Sequence, residues 1–283
     1  MSQAETVQST LRTQVFVGPA QTFESGNGTF SPTTSTLIVG ERDAVLVDAQ
    51  HIKADVAALG DMIAATGKRL THIYVTHGHA DHWYGIAELV RRFPSAKPIA
   101  VQGVIDYIEE TQAMASRQWT SMFGARVVDA SVRPERVEGG FELEGHELRI
   151  IEVGQGDIAP STAIHVPSID AVIPGDVVYN KIHMMLGLSG PQDWPKWLDS
   201  LEQIDRLNPK ILVAGHKRPE LPDTDVRRML DESKAYIRTF TEASATAKTP
   251  EALVESVKAA FPDFGNLWTL QFSARSFFQN YRS

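Results

Sequence analysis

The sequence predicts an α/β fold in which two β-sheets pack face to face and helices cover their outer sides. Three observations predict it. Short apolar runs of strand length alternate with segments of helical period. The strands fall into two sets, each followed by helices. No repeat or low-complexity linker divides the 283 residues, so 1–283 reads as a single domain.

Residues 1–12 are polar and read as a flexible tail. Strand-like runs follow at Gln14 to Val17, Thr36 to Val39 and Ala44 to Asp48, the last two separated by the turn-rich Gly40-Glu41-Arg42-Asp43. Asp55 to Thr66 carries Val56, Leu59 and Ile63 at helical spacing and stops at Gly67. His72 to Val75 is a strand, Trp83 to Phe93 a helix ended by Pro94, Pro98 to Val101 a strand and Val104 to Met122 a longer helix. Strands return at Phe141 to Leu143, Glu147 to Val153, Ser161 to Val166 and Ala171 to Ile173. After the helix Trp194 to Leu207, with Pro195 in its first turn, comes a last strand at Lys210 to Ala214. A helical C-terminal extension, 221–283, holds helices at Asp225 to Ala243, Pro250 to Phe261 and Ser273 to Tyr281.

The chain is 42% hydrophobic and 22% charged, which places it among ordinary globular proteins. A net charge of −8 gives no support to nucleic-acid binding. With no cysteine, disulfides, thiolate metal sites and a cysteine nucleophile are excluded. Met1 to Thr10 lacks the basic start and apolar core of a signal peptide, and no run approaches the ~20 apolar residues of a membrane helix. A cytoplasmic protein with no membrane partner is expected.

The chemistry concentrates in Thr76-His77-Gly78-His79-Ala80-Asp81-His82, at the carboxyl end of a strand. On a helix these side chains would point all round the axis. In a tight loop, His77 and His79 converge on one ion while Asp81 and His82 turn toward a neighbouring one. Two ions ~3.5–4 Å apart can share a bridging hydroxide, a nucleophile at neutral pH. Nitrogen and carboxylate donors without sulfur suit Zn²⁺, with Mn or Fe as alternatives. Three of only nine histidines lie within six residues, too dense a cluster for chance. His51, His72, His146 and His165 stand outside any such context and read as surface or core residues.

The motif resembles the His-X-His-X-Asp-His signature of the metallo-β-lactamase superfamily, whose fold is a four-layer αββα sandwich. The resemblance runs from about Gln14 to Pro219. It implies that Asp176, in Pro174-Gly175-Asp176, bridges both metals and that His216, in Ala214-Gly215-His216, completes the second site. It implies that Asp48 orients a ligand histidine, and that Asp81 takes the catalytic role. The family supplies a third histidine to the first metal from a Gly-His-Thr segment. This chain instead reads Gly154-Gln155-Gly156-Asp157-Ile158-Ala159-Pro160-Ser161-Thr162. An ungapped match puts Asp157 at that position, and carboxylate is a competent zinc ligand. The Gly154-Gln155 pair offers Gln155 as the rival. A third carboxylate would weaken the Lewis acidity of the metal and favour harder cations.

The implied activity is hydrolysis of a small-molecule ester, lactone or related bond. Trp83, Tyr84, Tyr179, Asn180, His183 and Met185 are candidate substrate-binding residues, with Met184 and Lys217 beside them. Asn180 and Tyr179 are also candidate donors to an oxyanion. The absence of a leader argues against a β-lactamase proper, the altered ligand against glyoxalase II, and the acidic balance against the nuclease branch. The alternative is a non-hydrolytic, iron-dependent oxygenase-type member, which the presence of Asp81, His82, Asp176 and His216 disfavours. The aromatic C-terminal helices suit either a cap on the pocket or a homodimer contact, and the sequence leaves both open.

Overall fold

In the computed structural model, residues 11–282 are described. The tail expected over 1–12 lies outside the described residues as far as residue 10. Leu11 is buried and Arg12 opens the first strand.

One sheet has six strands in the order Arg12–Val17, Thr34–Val39, Asp43–Val47, Arg69–Tyr74, Lys97–Ala100 and Glu135–Arg136. The first two pairings are antiparallel and the rest parallel. Its central strands are buried on both faces, which is why Leu37 to Val39 and Ala44 to Val47 read as apolar runs. The second sheet has five strands, in the order Ile211–Leu212, Ala171–Ile173, Ser161–Val166, His146–Gly154 and Gly140–Leu143. Strand His146–Gly154 buries Leu148, Ile150 and Val153, with a register shift between Glu152 and Gly154.

The sheets meet face to face at the end of Arg69–Tyr74. Tyr74 Oη lies 2.7 Å from Thr162 Oγ1, and the Thr76 carbonyl accepts from both the amide and the hydroxyl of Thr162. Helices α1 (Lys53–Ala65), α2 (Ala80–Trp83), α3 (Ile86–Arg92) and α4 (Gln102–Phe123) accompany the first sheet. Helix α5 (Trp194–Arg206) turns Trp194, Trp197, Leu201 and Ile204 inward, and its Ser200 donates to the Val153 carbonyl of the second sheet. Helices α6 (Val226–Thr246), α7 (Pro250–Ala260) and α8 (Leu267–Tyr281) complete the chain. Two sheets with helices outside form the αββα arrangement the sequence predicts.

Three elements differ from expectation. The helix expected over Trp83 to Phe93 is two helices, α2 and α3, broken at Tyr84-Gly85. The break has a steric cause: a Cβ on Gly85 would lie 1.9 Å from the Ala49 carbonyl oxygen, and the Gly85 amide donates to the Gln50 carbonyl. Helix α8 starts six residues before the expected Ser273, so Trp268 and Phe272 belong to it. The last strand shrinks to Ile211–Leu212, because Val213 to Gly215 turn toward the ligand groups.

Candidate metal centre

The histidine loop follows strand Arg69–Tyr74 and runs into α2. It puts His77, Asp81 and His82 in full burial and leaves the His79 ring partly open. The second sheet supplies the rest. Asp157 lies in the loop before Ser161–Val166, Asp176 follows Ala171–Ile173, and His216 starts a two-residue strand paired with Tyr179–Asn180.

The seven side chains form two groups whose donor atoms lie within 4.8 Å of one another: His77, His79, Asp157 and Asp176, and then Asp81, His82 and His216. Asp176 reaches both. Its Oδ2 is 3.9 Å from His77 Nε2 and 3.0 Å from His216 Nε2, and its Oδ1 is 3.2 Å from His82 Nε2. In the first group Asp157 contacts His79 Nδ1 at 2.6 Å and His77 Nε2 at 3.7 Å. The carboxylate therefore stands where the resemblance expects a histidine. Gln155 turns its amide onto the Gly156 carbonyl.

The donor set suits divalent cations. His77 Nε2 is buried without a hydrogen-bond partner, its nearest carboxylate oxygens lying at 3.7 and 3.9 Å, an arrangement that costs ~1–3 kcal/mol unless a ligand is bound there. Burial pushes the His77 imidazolium well below its ordinary pKa, with His82 adding to the effect, so its ring is a neutral donor. Burial also raises the Asp157 carboxyl; His79 opposes this and Asp176 reinforces it. A cation in the first group is the charge that would keep Asp157 ionised.

Surrounding residues orient these ligands. Asp48, in a left-handed conformation at φ 63°, accepts from the Thr76 amide and hydroxyl and faces His82 Nδ1 at 2.8 Å. With Nδ1–H committed to Asp48, His82 presents Nε2 inward. His216 Nδ1 is 2.9 Å from the Pro32 carbonyl, and Thr33 Oγ1 donates to Asp81 Oδ2 at 2.9 Å. Pro32 and Thr33 were not anticipated from the sequence; their signal is a hydroxyl-rich stretch, Ser31 and Thr33 to Thr36, that runs into strand Thr34–Val39. Gly215 has to be glycine, since a Cβ there would lie 2.1 Å from Asp176 Oδ1.

A cavity of about 130 Å³ lies over these side chains. His79, Asp81, Asp157, Asp176 and His216 form its floor, and Tyr179 and Met185 also line it, as does the unanticipated Tyr107. The Tyr179 hydroxyl is not free for an oxyanion, because it donates to Asp176 Oδ2 at 2.9 Å. Four expected substrate contacts lie elsewhere. Trp83 is buried and donates to the Gly78 carbonyl, bracing the histidine loop from behind, and Tyr84 packs edge-on against Trp83. Asn180 is buried with its oxygen accepting from Arg228. His183 packs on Tyr236 and Phe264, with Nδ1 3.0 Å from the Tyr236 hydroxyl. All four are buried in the core: Trp83 and Tyr84 at the end of α2, Asn180 in strand Tyr179–Asn180 and His183 just after it. Met184 is also buried, and Lys217 is buried in an ion pair with Asp223.

A family model described as the metallo-beta-lactamase superfamily matches residues 28–216, more than half of the chain. The protein belongs to this superfamily. An atrochrysone carboxyl ACP thioesterase from Passalora fulva is 34% identical over 195 residues, 68% of this chain and 50% of that protein. Its counterpart from Aspergillus fumigatus is 25% identical over 185 residues, 65% of this chain and 50% of that protein. The chain thus spans about half the length of the curated relatives it matches. Among solved structures, a metallo-beta-lactamase family protein from Thermus thermophilus superposes with a TM-score of 0.65 at 19% identity, covering 94% of this chain and 93% of that one. The metallo-beta-lactamase FIM-1 from Pseudomonas aeruginosa gives 0.57 at 15% identity, covering 82% and 92%. Among the described residues, no helix is long and apolar enough to cross a membrane.

Proposed function

We propose that the protein is a hydrolase using two divalent metal ions to open an ester, thioester or lactone bond in a small molecule. The observation that carries this reading is that Asp176 joins two histidine–carboxylate groups on the floor of one cleft. His77, His79, Asp157 and Asp176 would hold one ion, and Asp81, His82 and His216, with Asp176, the other. When bound, such ions supply Lewis acidity toward the acceptor oxygen and lower the pKa of water enough to make it a nucleophile near neutral pH. Zn²⁺ fits the imidazole donors, and the carboxylate at Asp157 extends the choice to Mn or Fe.

The rest of the chemistry belongs to the chain. The oxygen of water bonds to the acyl carbon, the bond to the leaving oxygen or sulfur breaks, and the products are an acid and an alcohol or thiol. Asp81 lines the cleft and is fixed by Thr33. Burial works to raise its carboxyl, but His82 and His216 outweigh it and hold Asp81 far below the ordinary carboxylate range. Asp81 therefore orients water by accepting a hydrogen bond and does not store its proton. Thioesters enter the proposed range through the activity that the curated relatives are named for. The oxygenase-type reading is disfavoured by the presence of both complete groups.

The test compares wild type with His79→Ala on esters, thioesters, lactones, a cephalosporin and phosphodiesters, each with zinc, manganese or iron. Hydrolysis of an acyl substrate by wild type and its loss in the variant is the expected result. If no substrate separates the two proteins with any metal, the hydrolase reading fails.

A further inference from the structure

The hydrolase reading treats the cleft as the substrate's place, and the cleft walls define what that substrate looks like. One wall is the inner face of α4, with Met114, Trp119 and Met122; the other is α8, with Trp268 and Phe272. We propose that α8 is the selectivity wall, and that the substrate carries a flat, uncharged aromatic group beside the scissile bond that lies against Trp268 and Phe272.

Four observations converge on this. Trp268 and Phe272 are one helical turn apart and stacked, with ring centroids 5.3 Å apart and planes 21° from parallel. Both are half-buried and line the cleft, so the stack presents a flat surface that a further ring can extend. Among the described residues, no lysine or arginine lines the cleft, while its floor carries three carboxylates. A substrate bearing its own carboxylate away from the metals would find no counter-charge there.

The wall is also held rigid, which a selectivity surface requires. At its start, the Asn266 side chain bonds Thr269 and Ser31, and Ser31 Oγ lies 3.3 Å from Thr269 Oγ1. Further along, the Gly187 amide donates to Ser273 Oγ and the Ser276 hydroxyl to the Gly187 carbonyl. Finally, α8 lies beyond residues 28–216, the part matched by the superfamily model. At the mouth, Met114 and Leu188 are 59% and 45% exposed, large apolar surface at the entrance.

This inference rests on the hydrolase reading, and its test separates the two. Acid release is followed for naphthyl acetate, methyl naphthoate, ethyl acetate and the monomethyl ester of succinic acid, with wild type, Trp268→Ala, Phe272→Ala and Trp268→Phe. Naphthyl probes place the ring on either side of the bond, and leaving-group differences cancel when one ratio is compared between proteins. The ratio of kcat/KM for the better naphthyl substrate to that for ethyl acetate should fall about ten-fold in each alanine variant, mainly through KM. Trp268→Phe should recover most of it. Binding of naphthamide, measured by calorimetry on the metal-loaded proteins, should weaken by a similar factor. An unchanged ratio with unchanged naphthamide binding, or a preference for the succinate monoester, overturns the selectivity wall. Naphthamide binding that depends on Trp268 in a protein that hydrolyses none of the four would instead sink the hydrolase reading and leave the wall standing.

Discussion

Thr33 donates its hydroxyl to Asp81 Oδ2 at 2.9 Å, and the neighbouring Pro32 carbonyl lies 2.9 Å from His216 Nδ1. A carbonyl only accepts, so His216 donates from Nδ1 and presents Nε2 toward Asp81 and Asp176. Two ligands of one group are thus oriented by consecutive residues of a single strip. Thr33→Val should lower activity and metal retention in that group roughly ten-fold, the usual cost of losing such a support. Thr33→Ser should retain both. Metal content after dialysis, read alongside kcat, checks it; equal retention in the valine variant removes Thr33 from this role.

Asp157 stands with His77, His79 and Asp176 in the first group, whereas the Gln155 amide is engaged by the Gly156 carbonyl. Asp157→Ala should lose the first-group metal, and Gln155→Ala should keep it. Asp157→His should bind zinc at least as well as the parent, because it supplies the imidazole usual at this position. Metal analysis and competition with a chelator distinguish these outcomes. Equal metal content in the two alanine variants contradicts the assignment.

Gly215 sits where a side chain would collide with Asp176 Oδ1 at 2.1 Å and with the Gly175 backbone at 2.6 Å. Asp176 serves both groups, so moving it disturbs both at once. Gly215→Ala should reduce kcat on the order of 100-fold and weaken both metals, by analogy with losses from ligand misplacement. A fully active Gly215→Ala protein with two metals would show that the close approach relaxes without consequence.

His183 is buried on Tyr236 and Phe264, and burial lowers its pKa to about 4. The ring is neutral when folded, but in the unfolded chain it takes a proton below about 6.5. Unfolded chains then bind more protons, so stability is lost as pH falls from about 6.5 to about 4, by up to ~3 kcal/mol. His51, caged by Phe30, Trp119 and Phe123 and also lowered to about 4 by burial, acts with the same sign. Thermal unfolding of wild type and His183→Phe at pH 4 to 7 should show a shallower decline in the variant. Parallel declines would mean that His183 does not titrate on unfolding.

The fold class and the convergence of the histidines and carboxylates into two groups were legible in the sequence because each depends on local signals. Strands buried on both faces read as apolar runs, and the metal-binding side chains sit at strand ends, where turns force them together. That Asp157 joins His77 and His79 was legible for the same reason, through its spacing from Ser161-Thr162. What failed depends on where the chain goes next. Trp83, Asn180 and His183 follow the histidine loop and Asp176 in sequence but face the core, where each bonds a group away from the opening: the Gly78 carbonyl, Arg228 and the Tyr236 hydroxyl. Thr33 and the α8 aromatics lie far from the histidine motif in sequence and meet the site only through tertiary packing. Helix α8 itself was placed too short because Asn266, at φ 58°, starts it without a recognisable side-chain cap.

The strip Phe30 to Thr34 fastens the start of α8 through Ser31 and steadies the second ligand group through Pro32 and Thr33. Its sequence is consequently answerable to two constraints at once and has little freedom to drift. Helices α4 and α8, at Trp119, Met122, Trp268 and Phe272, only line the cleft. In a lineage adapting to new compounds, substitutions should accumulate on those two helices and spare the strip between them.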